Sequence, residues 1–148
     1  MDTTYLHVSD LEVDTALADP AVPLAVRAVW QLLWESEVRP EEVVALDVPD
    51  AELDEQLVVI RDSKEGGIFE TGITASAAGV LRELIGTRTE GPLFTVDGRR
   101  LTRAEAAEAF RAATDGRTLH ALRFTRQLKE RDRARRNATA REAEEKSA

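Results

Sequence analysis

The chain has 148 residues, 43 % hydrophobic and 32 % charged, with a net charge of −8 and no cysteine. That length carries one domain with a true core. The composition excludes a disulfide framework, a cysteine metal site and a thiol nucleophile, and two histidines are too few for a histidine-rich metal site. No apolar run approaches the length of a membrane span, and the start MDTTYLHVSD lacks a basic-then-apolar leader. A cytoplasmic protein with no cofactor and no membrane partner is expected.

The charge is unevenly spread. Residues 1–60 hold 14 acids and 2 bases, whereas residues 61–148 hold 14 acids and 18 bases. Any nucleic-acid contact is therefore expected from the second half, or from Arg27 and Arg39 if they are specially placed. Most of the acids read as a solvated surface.

In chain order, residues 1–19 show no strong period, although Ser9–Asp10 suits the start of a short helix. Asp19-Pro20 is a break. From Ala21, Val22, Val26, Val29, Trp30 and Leu33 recur at helical steps, with Pro23 suited to the first turn. Trp30 and Trp34 share a face, as a core pair or, less readily, as a stacking platform. Pro40 opens a second short helix behind Arg39, with Val43, Val44 and Leu46 inward. The period then changes to two. EQLVVIRD (55–62) and IFETGI (68–73) read as two strands joined by the turn SKEGG, which carries Lys64. TASAAGVLRELIG is a helix capped by Thr74 or Ser76 and stopped by Gly86. GPLFTVDGRRLT is extended around an Asp-Gly turn. Thr102 and Glu105 form a capping box for a helix ending near Gly116. A last helix begins near Thr118, carrying Leu119, Leu122, Phe124 and Leu128. Residues 126–141 hold seven bases against two acids, and AREAEEKSA reads as frayed. The organisation is an N-terminal segment (1–19), a core domain (20–134) and a charged flexible tail (135–148).

Four stretches, in this order, resemble the catalytic domain of the tyrosine recombinases (phage integrases). VRPEEVVALDVPD matches the arginine signature through Arg39, Glu42 and Leu46. VVIRDSKEGGIFETGI resembles the β-hairpin, with Lys64 as the hairpin lysine. GPLFTVDGRRLTRAEAAEAF resembles the segment before the final motif, and HALRFT resembles the His-x-x-Arg box through His120 and Arg123. The resemblance runs from about residue 20 to residue 128. It implies an α+β, mainly helical fold, with helices packed around a small antiparallel hairpin or three-stranded sheet. It further implies that Arg39 and Arg123 hold a DNA phosphate, because a guanidinium presents a planar fork of donors to oxyanions. By the same resemblance Lys64 protonates the leaving oxygen, His120 exchanges a proton or donates to the phosphate, and Glu42 fixes the geometry of Arg39.

The sequence departs from the pattern in two ways. Phe124 stands where the family has a second histidine. No tyrosine follows Arg123; the one tyrosine is Tyr5, in the acidic, unmatched N-terminus. The expectation is a non-catalytic recombinase-like domain that binds DNA backbone phosphate, or accompanies another recombinase subunit. The alternatives are a protein-interaction module with a vestigial pocket, and an active enzyme with another nucleophile such as Thr125. Each residue also has an ordinary reading. Arg39 pairs with Glu41 or Glu42, Lys64 is a solvated turn residue, His120 belongs to the core, and Arg123 bridges to an acid of the first half.

Overall fold

A computed structural model describes residues 7–61, 63 and 66–147, with the side chains of 141–147 left aside. Its first helix, α1 (Asp10–Leu17), begins at Ser9, whose hydroxyl accepts from Glu12 N–H while the Glu12 carboxylate accepts from Ser9 N–H. α2 (Leu24–Glu35) follows. Pro23 sits just outside it as the N-cap, rather than in the first turn. Its backbone is extended (ψ 140°), and its carbonyl accepts from Val26 and Arg27. α3 (Pro40–Val44) is a single turn opened by Pro40 and is followed by a 3-10 turn over Val48–Asp50.

The sheet comprises β1 (Ala51–Glu52), β2 (Leu57–Ile60) and β3 (Phe69–Gly72), antiparallel in that order, with Val58 opposite both Ala51 and Thr71. The central strands are shorter than the periodicity suggested. Residues 53–56 form a turn, in which Gln56 takes a positive φ of 51°, and Gly66 and Gly67 adopt φ near 87° and 85° in the hairpin. α4 (Ala75–Ile85) is capped by Thr74, not Ser76, and ended by Gly86 at φ 57°. A two-stranded ribbon, β4 (Thr95–Val96) and β5 (Arg99–Arg100), turns at Asp97-Gly98. α5 (Arg103–Ala113) carries the Thr102/Glu105 capping box, and α6 runs from Leu119 to Ser147.

In the last helix, helical backbone continues through 135–147, the stretch expected as a flexible tail. Ala, Arg, Glu and Lys dominate this stretch, and all favour helix without needing an apolar stripe. Residues 129–140 are exposed around the whole helix, so its tail stands clear of the domain.

α2 is the hub. It packs against α1, α3, α4, α5 and α6. Trp30 is fully buried within it, edge-on to Phe110 at 5.2 Å, and its indole N–H donates to Ala106 O at 3.1 Å. A buried indole donor needs such a partner, so this bond fixes α5 against α2. Trp34 is half-buried, with Lys129 Nζ 4.9 Å from its ring centre, so the two tryptophans form no exposed platform. Arg100 ties the ribbon to the end of α3 by donating to the Val44 and Leu46 carbonyls at 2.9 and 3.2 Å. Val43 and Leu46 are buried as expected, whereas Val44 is half-buried. Among the described residues no helix is long and apolar enough to cross a membrane.

Candidate phosphate-binding site

Three of the residues singled out by sequence meet in one pocket. Arg39 is the N-cap of α3, with extended backbone (φ −95°, ψ 154°). The capping acceptor comes from Glu42, one turn on, whose Oε1 accepts from Arg39 N–H at 2.9 Å. Glu42 is only 5 % exposed. It therefore holds Arg39 through the main chain, and the position of the guanidinium depends on a buried carboxylate.

His120 and Arg123 lie one turn apart on α6, where residues at i and i+3 are neighbours. Leu119, Ala121 and Leu122 fill the buried positions of this turn. His120 is consequently exposed rather than a core histidine, and Arg123 is half-buried. Together with Arg39, Pro40, Glu41 and Arg103 they line a cavity of about 170 Å³. Lys64 lies outside the described residues, as does Tyr5.

The sequence reading missed Arg103 and Glu41. Arg103 is the first residue of α5, and one of its guanidinium nitrogens lies 3.6 Å from Glu41 Oε2. A signal was present. An arginine in the first turn of a helix opposes the helix dipole, so its placement there asks for a use. The pocket thus gathers three guanidiniums and an imidazole around one carboxylate.

The decisive detail is on Arg123. Its Nε–H is buried and has no hydrogen-bond partner among the described residues. Leaving a buried donor unmade costs about 1–3 kcal/mol, more for a charged group, so such atoms ask for an explanation. What Arg123 Nε–H lacks is an acceptor among the described residues. Nearby acids do not take this role. The Glu37 carboxyl is held below its ordinary range chiefly by a hydrogen bond from Arg126, against the opposing effect of burial, with the fields of Arg126 and Arg123 adding to it. Arg126 donates to Glu37 at 2.9 Å.

The positions around the pair are already engaged. Thr125 Oγ1 accepts from Val8 N–H at 3.2 Å, and Phe124 packs edge-on to His7 at 5.2 Å. Phe124 therefore serves as an apolar contact for the N-terminal segment. Larger clefts exist, and several of their charges are paired. The cleft of about 420 Å³ beside Trp34 has Lys129 paired with Asp10 and Arg126 paired with Glu37 and Glu130. Among the described residues no group of three or more His, Asp or Glu residues is placed to hold a metal ion.

No protein-family model matches the sequence, and no curated protein matches it. Solved structures do match. The XerA recombinase superposes with a TM-score of 0.68 at 19 % identity, over 81 % of this chain and 48 % of that one. The integrase of mycobacterium phage Brujita gives 0.66 at 17 % identity, over 81 % and 42 %. The integrase of transposon Tn1549, solved with a circular-intermediate DNA, gives 0.52 at 11 % identity, over 81 % and 51 %. The fold is that of the tyrosine recombinase catalytic domain, mainly helical around a small antiparallel sheet. The chain spans about half the length of the structures it matches.

Proposed function

We propose that this recombinase-like domain binds the phosphodiester backbone of DNA through Arg39, Arg103, His120 and Arg123, and does so without a covalent step of its own. The observation that carries the reading is the buried, unpartnered Arg123 Nε–H in a pocket lined by two further arginines. Forked guanidinium donors match phosphate oxygens in number and geometry. His120, at the exposed rim, adds a donor that protonation strengthens. Lys64 joins the set on the strength of the sequence resemblance alone, as does the positioning role of Glu42 toward phosphate.

The non-covalent part of the reading rests on the residues present. The sequence holds one tyrosine, Tyr5, and Thr125, the other nucleophile considered, is engaged with Val8. Phosphate binding of this kind suits a protein that accompanies or regulates a recombination system. The 14 acids of residues 1–60 favour a second reading, in which another protein docks on the acidic half, and the two roles are compatible on separate surfaces.

The test is fluorescence anisotropy with a labelled duplex at low and moderate salt, comparing the native chain with an Arg39→Ala/Arg123→Ala variant whose circular dichroism is unchanged. Expected is binding that weakens steeply with salt and is lost in the variant. Binding that the variant keeps refutes the pocket as the DNA site. A protein–DNA adduct that survives denaturing electrophoresis refutes the non-covalent reading.

A further inference from the structure

Glu41 is the anomaly of the pocket. Among the described residues it is the one carboxylate on a wall that otherwise offers three guanidiniums and an imidazole. Its place in the first turn of α3 has a simple explanation, since carboxylates favour helix N-termini. The direction of the side chain does not follow from that. It leaves its own helix and approaches Arg103 on α5. The approach is loose. At 3.6 Å it is an ion pair, and both partners are about half-exposed, at 62 % for the Arg103 side chain and 48 % for Glu41. Pairs of this kind are weak and readily exchanged.

Resting on the phosphate-binding reading, we propose that Glu41 is an affinity-setting residue. It holds the Arg103 guanidinium when no phosphate is bound and must yield it when phosphate enters. Arg123 Nε–H needs no such exchange, because it has no partner to give up among the described residues. The pocket therefore binds in two unequal parts. Arg123 offers a ready donor, and Arg103 is released only against competition from an internal anion. A ligand must supply enough negative charge to displace Glu41, so weak or transient anions are disfavoured relative to a phosphate group. The Arg103–Glu41 pair also links α3 to α5, so taking Arg103 from Glu41 changes the contact between two walls of the pocket.

The test uses inorganic phosphate at about pH 8, read as the rise in thermal-unfolding midpoint across a phosphate series, with ionic strength held constant by chloride. Six forms of the full chain are compared. Glu41→Gln is expected to reach the same rise at about fivefold lower phosphate, the upper range for losing an exposed ion pair. Glu55→Gln, an exposed acid outside the pocket, is expected to match the native chain. Adding Glu41→Gln to Arg103→Ala is expected to give no gain over Arg103→Ala alone, because the advantage acts through Arg103. With a labelled duplex, Glu41→Gln is expected to bind more tightly than the native chain at each salt concentration, with a similar slope of log K against log salt, because the same phosphate contacts are made in both complexes.

A Glu41→Gln response equal to that of the native chain overturns the inference, as does a gain that persists without Arg103. The underlying reading fails separately. If Arg39→Ala/Arg123→Ala responds to phosphate as the native chain does, the pocket is not the phosphate site and both claims fall. If that variant loses the response while Glu41→Gln changes nothing, the site stands and only the role of Glu41 is refuted.

Discussion

Replacing Glu42 with alanine tests how the pocket is built. Its carboxylate is 5 % exposed and accepts from Arg39 N–H at 2.9 Å. Losing a helix-capping acceptor costs about 1 kcal/mol. Stranding a buried donor, together with a small void, raises the total to about 2 kcal/mol. For a domain of this size each kcal/mol moves the midpoint by roughly 2–4 °C, so Glu42→Ala is expected to melt about 6 °C lower. Glu42→Gln keeps a carbonyl oxygen in the acceptor position and is expected to lose about 2 °C. The assay is thermal denaturation followed by circular dichroism at neutral pH, paired with duplex binding at a temperature where every variant is folded. The Ala variant is expected to bind more weakly, because Arg39 is no longer anchored at its main chain, and the Gln variant to retain most of the affinity. An Ala variant that melts within about 1 °C of the native chain refutes the capping argument. A Gln variant as damaged as the Ala variant shows that the charge of Glu42, not its hydrogen bond, does the positioning.

Three further outcomes follow from the same structure. Trp30→Phe removes the indole donor to Ala106 from the contact of α2 with α5 and is expected to cost about 2 kcal/mol in urea denaturation, with a matching loss of phosphate response because Arg103 rides on α5. Glu105 is held at a pKa of about 2, first by hydrogen bonds from Arg99, then by the Thr102 N–H and hydroxyl. A folded-state pKa depressed below the ordinary glutamate value of 4.5 contributes stability that is present above pH 4.5 and lost as pH falls toward 2. Glu105→Gln is expected to flatten that part of an acid denaturation curve, less so in high salt because the group is exposed. Deleting 135–148, the segment proposed as a tail outside the core domain, is expected to leave the urea midpoint almost unchanged, because residues 135–140 are exposed throughout; a large loss of stability would assign the tail to the core.

The parts of the fold legible in the sequence were those set by local chemistry. Ser9–Asp10 and the Thr102/Glu105 capping box announce helix starts, because capping bonds need only residues close in sequence. The run Leu57–Ile60 reads as a strand from its β-branched side chains, and Gly86 marks a helix end by its backbone freedom. The helical backbone of the α6 tail was not legible because apolar periodicity was the guide, and a helix standing in solvent carries none. The exposure of His120 was hidden for a related reason. Its neighbours Leu119, Ala121 and Leu122 are all buried, and only the docked orientation of the helix shows that His120 points the other way. Arg103 and Glu41 belong to the pocket through the docking of α5 beside α3, a tertiary fact that no local pattern encodes. Arg39, His120 and Arg123 were found because a resemblance supplied the ordered motifs, not because any one of them stands out alone.

The most direct test of the phosphate clamp is the Arg123 Nε–H signal in a nitrogen–proton NMR spectrum, assigned by its loss in Arg123→Lys and followed as a short duplex is added at low salt. The account requires this resonance to shift and to exchange more slowly with water as the duplex binds, because the buried donor gains its acceptor. A duplex that binds while Arg123 Nε–H stays unmoved, with the changes confined to the exposed arginines Arg131, Arg133, Arg135 and Arg136 of the α6 tail, would place DNA on that helix and contradict the pocket as its site.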